Sequence, residues 1–328
     1  MQPKISVLIP VFKTSQYLAE CLQHIRLTGS FLLPKDVEIV LVNDGSFEER
    51  KICKKELNFF TKETKIPHQY IEHRKNLGLI EARRTGLENA NGSFIVFCDP
   101  DDHLILGALE AFYEEATKSQ AEIIQGKTTT DSTEKDIQWK TNLFLQEKIV
   151  DTENQKIIFE KFLIHQEISG FLWGKIYKKS LLEKVFDLIP YCYCVMAEDL
   201  LVFFIASYFA TSYSYVENPV YFYNFGRGVS SNDIISNLDR WERICSSSTV
   251  FTILKTLIPT EIQLNEDQKI KLQKFCNGYL FSLIHRLNNY VDISLKNSAK
   301  EILDNYLLWY KNGAYSPFGK CFDIGNIM

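Results

Sequence analysis

Short uninterrupted runs of apolar residues alternate with helical spacing along the first part of the chain. The runs cover 4–11, 37–42 and 94–98, with a weaker one at 68–72. Runs of this length without polar alternation are typical of strands buried on both faces of a sheet. Strands that alternate with helices predict right-handed crossovers and a mostly parallel, Rossmann-like α/β sheet with flanking helices.

The apolar pattern changes in the second part of the chain. Segment 127–136 is polar and predicts an exposed loop, whereas 200–209 predicts a strongly apolar helix. Beyond residue 233 the spacing is helical to near the end of the sequence. We therefore predict an α/β unit over 1–233 and a C-terminal helical appendage over 234–328.

Composition and charge exclude several classes of protein. The 328 residues carry a net charge of −4, which leaves no basic excess for binding nucleic acid. No apolar run approaches the roughly 20 residues of a membrane span, and the apolar segment at 5–11 is too short for a signal peptide. The eight cysteines have neither zinc spacing nor a disulfide framework. These features predict a reduced, cytoplasmic protein.

Three carboxylates lie on one turn directly after the strand predicted at 94–98. They are Asp99, Asp101 and Asp102, and Pro100 fixes the turn between them. The carboxyl edge of the sheet is where open α/β folds bind ligands. Repulsion among three anions favours a bound Mg²⁺ or Mn²⁺ that shares its coordination with a phosphate. The alternative is a solvated acidic turn with Asp102 as a helix N-cap.

Other charged residues fall near the same predicted edge. Asp44 follows a strand, where its carboxylate could accept hydrogen bonds from the base or ribose of a nucleotide. The alternative is that it only forms an Asn-Asp-Gly turn with the required backbone shape. Arg83 and Arg84 lie in the first turns of a helix, where a guanidinium could bind the phosphate or base of a nucleotide. The alternative is that they lie on a solvated face of the helix. Glu198 and Asp199 precede an apolar helix whose dipole stabilises an ionised base, with plain capping as the alternative.

The chain carries neither GxGxxG nor GxxxxGK[ST], so dinucleotide and P-loop chemistry are not expected. A sugar nucleotidyltransferase would need a phosphate loop rich in glycine and basic residues after the first strand. Segment 11–14 offers one lysine and no glycine. The segment 226–231, with Arg227 between glycines and serines, suits a clamp over a diphosphate or an ordinary loop.

Six motifs together resemble the family 2 glycosyltransferases, which have the GT-A fold. The motifs are ISVLIPVF at 5–12, VNDGS at 42–46, NLGLIEARRTGLENANG at 76–92, FCDPDDHL at 97–104, WGKIYKKSLL at 173–182 and MAEDLLVFF at 196–204. Each motif is loose alone, but their order and spacing are specific. The likeness is greatest to bacterial lipooligosaccharide β-1,3-galactosyltransferases, which share DPDD, WGK and MAED.

The resemblance implies a nucleotide-binding half over 1–125 and an acceptor-binding half over 126–233. It implies a nucleotide-sugar site along the strand ends, made of Pro10, Val11, Asp44, Asn76, Gly78, Arg83, Asp99, Pro100 and Asp101. Asp99 and Asp101 would hold Mn²⁺ or Mg²⁺, and Asp102, Trp173 and Lys175 would contact the donor sugar or the acceptor. Asp199 matches the general base of the family, with Glu198 as its helper.

Three departures from the family pattern stand out. Lys13 occupies a place where the family often has Asn, and Arg227 lies where many members carry a histidine that completes the metal shell. The third protein ligand of the metal is therefore open. The QxxRW motif of processive synthases is matched only loosely by Asn237, Arg240 and Trp241, so we expect a single-addition enzyme.

The resemblance implies an inverting transferase that moves a sugar from a UDP-sugar donor to a glycan acceptor of a bacterial surface polysaccharide. Galactose rests on likeness alone, and UDP-glucose, UDP-GlcNAc and UDP-GalNAc are alternatives. A nucleotidyltransferase and a non-catalytic binding protein are alternatives of another class. Phe275, Tyr279, Leu283 and Leu287 form one helical stripe, which suits packing on the catalytic domain, a homo-oligomer or the inner membrane face.

Overall fold

One mixed β-sheet with helices on both faces forms the protein. The computed structural model describes residues 4–29, 31–150, 156–227, 234–258 and 260–311. Within these residues lie nine strands: β1 (Ile5–Val11), β2 (Val37–Asn43), β3 (His68–Glu72), β4 (Phe94–Phe97), β5 (His103–Leu104), β6 (Ile123–Thr130), β7 (Ile149–Val150), β8 (Lys175–Lys178) and β9 (Ser212–Tyr223).

Twelve α-helices are found in the same described ranges. They are α1 (Ser15–His24), α2 (Arg50–Thr64), α3 (Leu79–Asn89), α4 (Ala108–Ser119), α5 (Lys135–Thr141), α6 (Ile157–Leu163), α7 (Lys179–Leu188), α8 (Glu198–Phe209), α9 (Leu238–Cys245), α10 (Ser247–Leu257), α11 (Glu266–Asn289) and α12 (Lys296–Lys311). No helix in the described part of the chain is both long and apolar enough to cross a membrane.

The strand order is β3-β2-β1-β4-β8-β6-β9-β5, with β7 paired to β9. The first four strands are mutually parallel, which confirms the α/β class expected for the nucleotide-binding half. Beyond β4 the sheet is mixed, because β8 runs antiparallel to both β4 and β6 while β9 is parallel to β6. The antiparallel pair matters for the site: with Val96 opposite Ile176, the start of β8 lies at the carboxyl end of β4.

The alternation of side chains along each strand divides the core into two layers. On β4, Ile95 and Phe97 face one layer, whereas Val96 and, just after the strand, Cys98 face the other. Helices α1, α2 and α4 cover the second layer, and α3, α6, α7, α8 and α10 cover the first. Both faces of these strands are therefore buried, which is why the sequence shows unbroken apolar runs there.

The C-terminal helices are integrated with the rest of the protein rather than appended to it. Val250 and Leu254 of α10 belong to the same hydrophobic cluster as α8. Helix α11 joins this cluster through Leu272 and then enters a smaller cluster with α9 and α12 through Leu283. The predicted stripe on α11 is thus used for packing within the chain, which was one of the three alternatives.

Candidate active site

A cavity of about 520 Å³ opens at the carboxyl edge of the parallel strands. Val11 at the end of β1, Asp44 just after β2 and Asp99 just after β4 all line it. The amide of Asp44 donates a 2.8 Å hydrogen bond to the carbonyl oxygen of Val11, which ties two of these strand ends together. The cavity therefore lies where the sequence placed the ligand site.

The acid turn at 99–102 is anchored by the end of β9. The hydroxyl of Tyr221 accepts a 3.2 Å hydrogen bond from the amide of Asp99 and donates a 3.0 Å bond to Oδ2 of Asp102. The amide of Asn224 donates a 2.8 Å bond to Oδ1 of Asp102. Asp102 lines the cavity, but both of its carboxylate oxygens are engaged with the protein, so it serves to fix the turn.

The side chain of Trp173 packs against Tyr221, the residue that holds the acid turn. Its ring stacks on Phe171 at 4.3 Å between centroids, on Tyr221 at 5.2 Å and on Tyr223 at 5.5 Å. Trp173 is buried, and it lies close to the end of β4 because it directly precedes β8, which starts there. Stacked rings of this size add packing energy and rigidity to the group that they carry.

The guanidinium of Arg83 joins three carboxylates from two parts of the chain. Nη2 donates to Oδ1 of Asp99 at 3.1 Å, while Nη1 donates to Oε1 of Glu198 at 2.7 Å and to Oδ1 of Asp199 at 2.5 Å. The side chain of Arg83 is fully buried. We expected Arg83 to contact the nucleotide; instead its charge is used within the protein, because three acids surround it.

Burial raises the pKa values of three acids in this cluster. Burial raises the pKa of Asp99 to about 6, with Asp199 and Asp101 adding to the rise and Arg83 opposing it. Burial also raises the pKa of Asp101. The pKa of Glu198 rises to about 8 through burial and the neighbouring Asp199, again against Arg83. One arginine thus offsets only part of the charge of this cluster.

Glu198 and Asp199 both lie in the first turn of α8 and line the cavity. Adjacent residues on a helix are turned about 100° apart, yet both carboxylates converge on Nη1 of Arg83. Their exposure distinguishes them: 18% of the Asp199 side chain is accessible, against 6% of that of Glu198. Asp199 is the more accessible of the two acids.

The acid turn offers two carboxylates suited to a divalent cation. Asp99 and Asp101 both line the cavity, and burial raises the pKa of each, so a cation bound between them would stabilise their ionised forms. Among the described residues no group of three or more His, Cys, Asp or Glu side chains forms a metal site. Mg²⁺ is commonly held by one or two carboxylates plus substrate phosphates and water, so two protein ligands fit such an ion.

Asp44 is tied to the turn that contains Asn76 and Gly78. Its Oδ1 accepts hydrogen bonds from the amide of Leu77 at 2.8 Å and from His73 Nδ1 at 2.7 Å, and its Oδ2 accepts from the amide of Gly78 at 2.9 Å. Gly78 has φ of +95°, and a Cβ there would lie 2.9 Å from the amide nitrogen of Cys194. Asp44 therefore shapes the cavity wall as well as lining it.

Lys175 lies behind the cavity wall rather than facing a ligand. Its Nζ donates to the hydroxyl of Ser169 at 2.8 Å and to the carbonyl of Phe171 at 2.7 Å. Burial lowers its pKa to about 7, and the charge of Asp199 opposes this shift. We expected Lys175 to contact the donor sugar or acceptor; the structure makes it a support of the loop at 169–171, which does line the cavity.

Comparison with known proteins decides the family. The model of glycosyl transferase family 2 matches residues 6–192, which is more than half of the chain. The chain belongs to family 2 of the glycosyltransferases.

Relatives named as glycosyltransferases agree with that assignment. GlyA, a glycosyltransferase of Streptococcus pneumoniae serotype 4, is 35% identical over 56% of this chain, but the match spans only 26% of GlyA. The cholesterol galactosyltransferase of Borreliella burgdorferi is 27% identical over 85% of this chain and 74% of its own length.

Two solved structures share the fold. Residues 1–349 of S. aureus TarS in complex with UDP-GlcNAc superpose with a TM-score of 0.55 at 18% identity, covering 95% of this chain and 93% of that one. The mannosyltransferase PcManGT of Pyrobaculum calidifontis, in complex with GDP-Man and Mn²⁺, has a TM-score of 0.54 at 13% identity and covers 100% of this chain and 80% of that one. The GT-A fold expected from the motifs is confirmed.

Several cavity residues of this family 2 chain were not singled out from sequence as site residues. They come from helices outside the motifs and from the loop after α5: Trp139, Leu143, Arg243, Phe275 and Tyr279. The stripe on α11 was the one available signal, since it contains Phe275 and Tyr279. Nothing in the local sequence marks Arg243, whose contact with the Phe12 ring joins α9 to the end of β1. Residues 228–231 of the predicted clamp lie outside the described residues.

Proposed function

We propose that the protein transfers a hexose from a UDP-sugar to a hydroxyl of a surface-glycan acceptor, with inversion at the anomeric carbon. The observation that carries this proposal is Asp199, an accessible carboxylate held by Arg83 on the wall of the cavity that also contains the acid turn. Family membership supports glycosyl transfer over nucleotidyl transfer and over a binding protein without activity.

UDP-galactose is the donor that we propose. The relative named cholesterol galactosyltransferase, whose alignment covers 85% of this chain, supports galactose. The TarS complex with UDP-GlcNAc supports a UDP-sugar in general. The proposed acceptor belongs to lipooligosaccharide, capsule or another surface polysaccharide. The test is release of UDP in the presence of a panel of UDP-sugars, and a preference for UDP-glucose, UDP-GlcNAc or UDP-GalNAc would replace galactose.

The chemistry follows from the placement of the acids. The acceptor hydroxyl would approach Asp199, whose carboxylate takes the proton as the oxygen attacks the anomeric carbon from the face opposite UDP. Arg83 fixes the orientation of this carboxylate and keeps it next to the acid turn. Tyr221 and Asn224 hold the turn still, so the groups around the leaving diphosphate need little rearrangement during the reaction.

A divalent cation held by Asp99 and Asp101 would supply positive charge to the leaving diphosphate when bound. We therefore expect turnover to stop in excess EDTA and to return with Mn²⁺ or Mg²⁺. Asp101→Ala should lower turnover by about 100-fold or more, as does the loss of other preorganised charge-stabilising groups. Asp136→Ala, on the exposed side of α5, is the matched control. Full turnover in excess EDTA would contradict this assignment.

Arg243 is the residue that we propose for the donor diphosphate in place of Arg83. It lines the cavity, its guanidinium lies 5.8 Å from the centre of the Phe12 ring, and its buried Nε has no hydrogen-bond partner among the described residues. An arginine with spare donors suits a phosphate, which accepts bidentate hydrogen bonds.

Replacing Arg243 with glutamine should weaken binding of UDP by about 10-fold or more and leave binding of uridine nearly unchanged, because only UDP carries the phosphates. Isothermal calorimetry with both ligands measures the difference. Arg240→Gln, on the same helix but outside the cavity lining, is the control. An equal loss for uridine and UDP would instead assign Arg243 to the nucleoside.

A further inference from the structure

The lining residues between 139 and 171 differ in charge from the rest of the cavity. Among the described residues, every acid that lines the cavity lies elsewhere, just after β2 and β4 or in the first turn of α8. Between 139 and 171 the polar lining side chains are Lys140, Gln166 and Ser169, beside the indole of Trp139. We call this part of the lining the acid-free side.

The hydroxyl of Ser169 on the acid-free side is surrounded by donors. Nζ of Lys175 donates to its oxygen at 2.8 Å, and Nε2 of Gln125 makes a longer, 3.4 Å contact with the same atom. The carbonyl of Leu143 fixes the orientation of this amide, because it accepts a 2.7 Å hydrogen bond from Nε2. Oε1 of Gln125 has no hydrogen-bond partner among the described residues, but Gln125 does not line the cavity.

These contacts leave Ser169 as a donor. A hydroxyl has one proton and two lone pairs, and here both lone pairs face donors. Within the described chain no residue accepts the proton of Ser169, and Ser169 lines the cavity. The proton is therefore available to a group of the ligand that accepts hydrogen bonds.

Lys175 is a buried cation without a carboxylate in contact. It is fully buried, and Nζ contacts the Ser169 hydroxyl, the carbonyl of Phe171 and, at 4.8 Å from its centre, the ring of Phe203. None of the ion pairs within the described residues includes Lys175, and Asp199 acts on its pKa only through space. Burial of a charge without a paired anion is costly. An anion beside Ser169 would stabilise the ammonium form of Lys175, which has no lone pair to accept the Ser169 proton.

The loop that carries Ser169 lies beside the start of α8. A Cβ on Gly170 would lie 3.2 Å from the ring of Phe162 and 3.9 Å from the side chain of Leu200. Leu200 directly follows Asp199, and both line the cavity. A glycan whose hydroxyl meets Asp199 can therefore bring another substituent to Ser169.

Trp139 and Lys140 continue the acid-free side to solvent. Trp139 is half-exposed while it lines the cavity, so its ring offers an apolar face to a sugar ring. Lys140 is exposed, and no ion pair of the described residues includes it. Its ammonium adds positive charge at the mouth of the cavity, where it would attract an anionic ligand.

We propose that the acceptor is an acidic glycan, whose carboxylate accepts a hydrogen bond from Ser169 while one of its hydroxyls meets Asp199. Ser169 determines the specificity, and Lys175 is a positioning residue that acts through it. A neutral hydroxymethyl group would not compensate the buried charge of Lys175, whereas a carboxylate would. This proposal rests on the proposed function and adds a substrate class to it: an acceptor with a carboxylate, such as a uronic acid, rather than a neutral glycan.

The test compares glycosides that differ only at C6. One pair is methyl β-D-glucuronide and methyl β-D-glucoside, and the other is methyl β-D-galacturonide and methyl β-D-galactoside. Each is titrated by calorimetry into the full chain in the presence of saturating UDP and Mn²⁺. In at least one pair the uronide should bind about 10-fold more tightly, because a hydrogen bond to a charged group is roughly twice as strong as a neutral one. Equal affinities, weaker binding of the uronide or no binding in both pairs would overturn the proposal.

Variants of Ser169 locate the carboxylate. Ser169→Ala should remove the preference for the uronide and leave the affinity for the neutral glycoside nearly unchanged, whereas Ser169→Thr, which keeps a hydroxyl, should retain the preference. Ser207→Ala is the matched control, since it removes a buried hydroxyl that donates to the carbonyl of Phe204 outside the cavity lining. A preference that survives Ser169→Ala would place the carboxylate elsewhere and overturn the proposal.

Lys140→Gln tests the proposal at an exposed position, and so remains informative if Ser169→Ala fails to fold. Loss of this charge should lower the preference for the uronide by about 2- to 3-fold, as is typical of exposed charge pairs. Lys135→Gln, on the same helix but outside the cavity lining, is the control. An equal loss with both variants would mean that surface charge alone favours the uronide, and would overturn the proposal.

A separate titration with UDP and Mn²⁺ distinguishes this proposal from the function on which it rests. Binding of UDP without a preference for either uronide would overturn the acidic acceptor and leave the transferase intact. Absence of UDP binding would overturn the proposed function, and the acceptor proposal with it. Binding of UDP and a uronide preference that is lost in Ser169→Ala would support both.

Discussion

Replacing Asp199 with asparagine should lower turnover by about 100-fold or more and leave the affinity for the UDP-sugar nearly unchanged. The amide keeps the shape of the side chain and a hydrogen bond, but it cannot accept the proton of the acceptor hydroxyl, and a positioned base is typically worth this factor. Turnover is measured as release of UDP with saturating donor. Calorimetry with UDP measures the affinity on the same preparation.

Glu198→Gln is the matched control, since Glu198 contacts the same nitrogen of Arg83 but is nearly inaccessible. Glutamine keeps the shape of this side chain and its hydrogen bond to Arg83, and Glu198 is the less accessible acid, so Glu198→Gln should change turnover far less. If Glu198→Gln were inactive and Asp199→Asn turned over normally, the roles would be reversed. Normal turnover by both variants would show that the catalytic base does not lie in α8.

Arg83→Met should be among the most destabilising single substitutions in the protein. The methionine fills much of the same space, but Asp99, Glu198 and Asp199 would lose the only cation that bridges them in the described structure. Breaking a buried ion pair by removing one partner typically costs about 3–5 kcal/mol in the free energy of unfolding. Urea denaturation of the variant beside the native protein measures this difference.

The loss caused by Arg83→Met should shrink as the pH falls. A carboxyl group whose pKa is higher in the folded than in the unfolded chain makes stability fall as the pH rises between those two pKa values. Asp99, with a folded-state pKa of about 6, and Glu198, with one of about 8, both act in this direction. Without Arg83 both values should rise further. Arg50→Met, at an exposed pair with Glu72, is the control and should change stability little at any pH. A pH-independent loss would contradict the electrostatic explanation.

The strand ends and the acid turn could be predicted because they are local properties of the sequence. An apolar run followed directly by Asp99 or Asp44 fixes both the strand and the edge at which the carboxylate emerges. The pairing of β4 with β8 is not local, yet the family resemblance of the WGK motif assigned Trp173 to the site, and the structure finds it lining the cavity. Its role on the acceptor side stays a prediction.

The partners of individual side chains could not be predicted in the same way. Arg83 and Glu198 are 115 residues apart, and their contact depends on how α3 and α8 pack on one face of the sheet. Helical spacing showed that α11 had an apolar stripe, but not that Phe275 would face the cavity. Apolar periodicity identifies the buried face of a helix and leaves the identity of its neighbour undetermined.

Helix α11 takes part in two hydrophobic clusters and in the cavity, which gives distant substitutions a route to the reaction. Tyr279, in the cavity, and Leu283, in the small C-terminal cluster, are one turn apart on the same rigid helix. A change in side-chain volume at Leu283 would tilt or shift α11, and the ring of Tyr279, whose pKa is raised in part by Glu198 and Asp199, would move with it. If the proposed function holds, substitutions in the C-terminal cluster could therefore change the choice of acceptor while every residue at the strand ends stays the same.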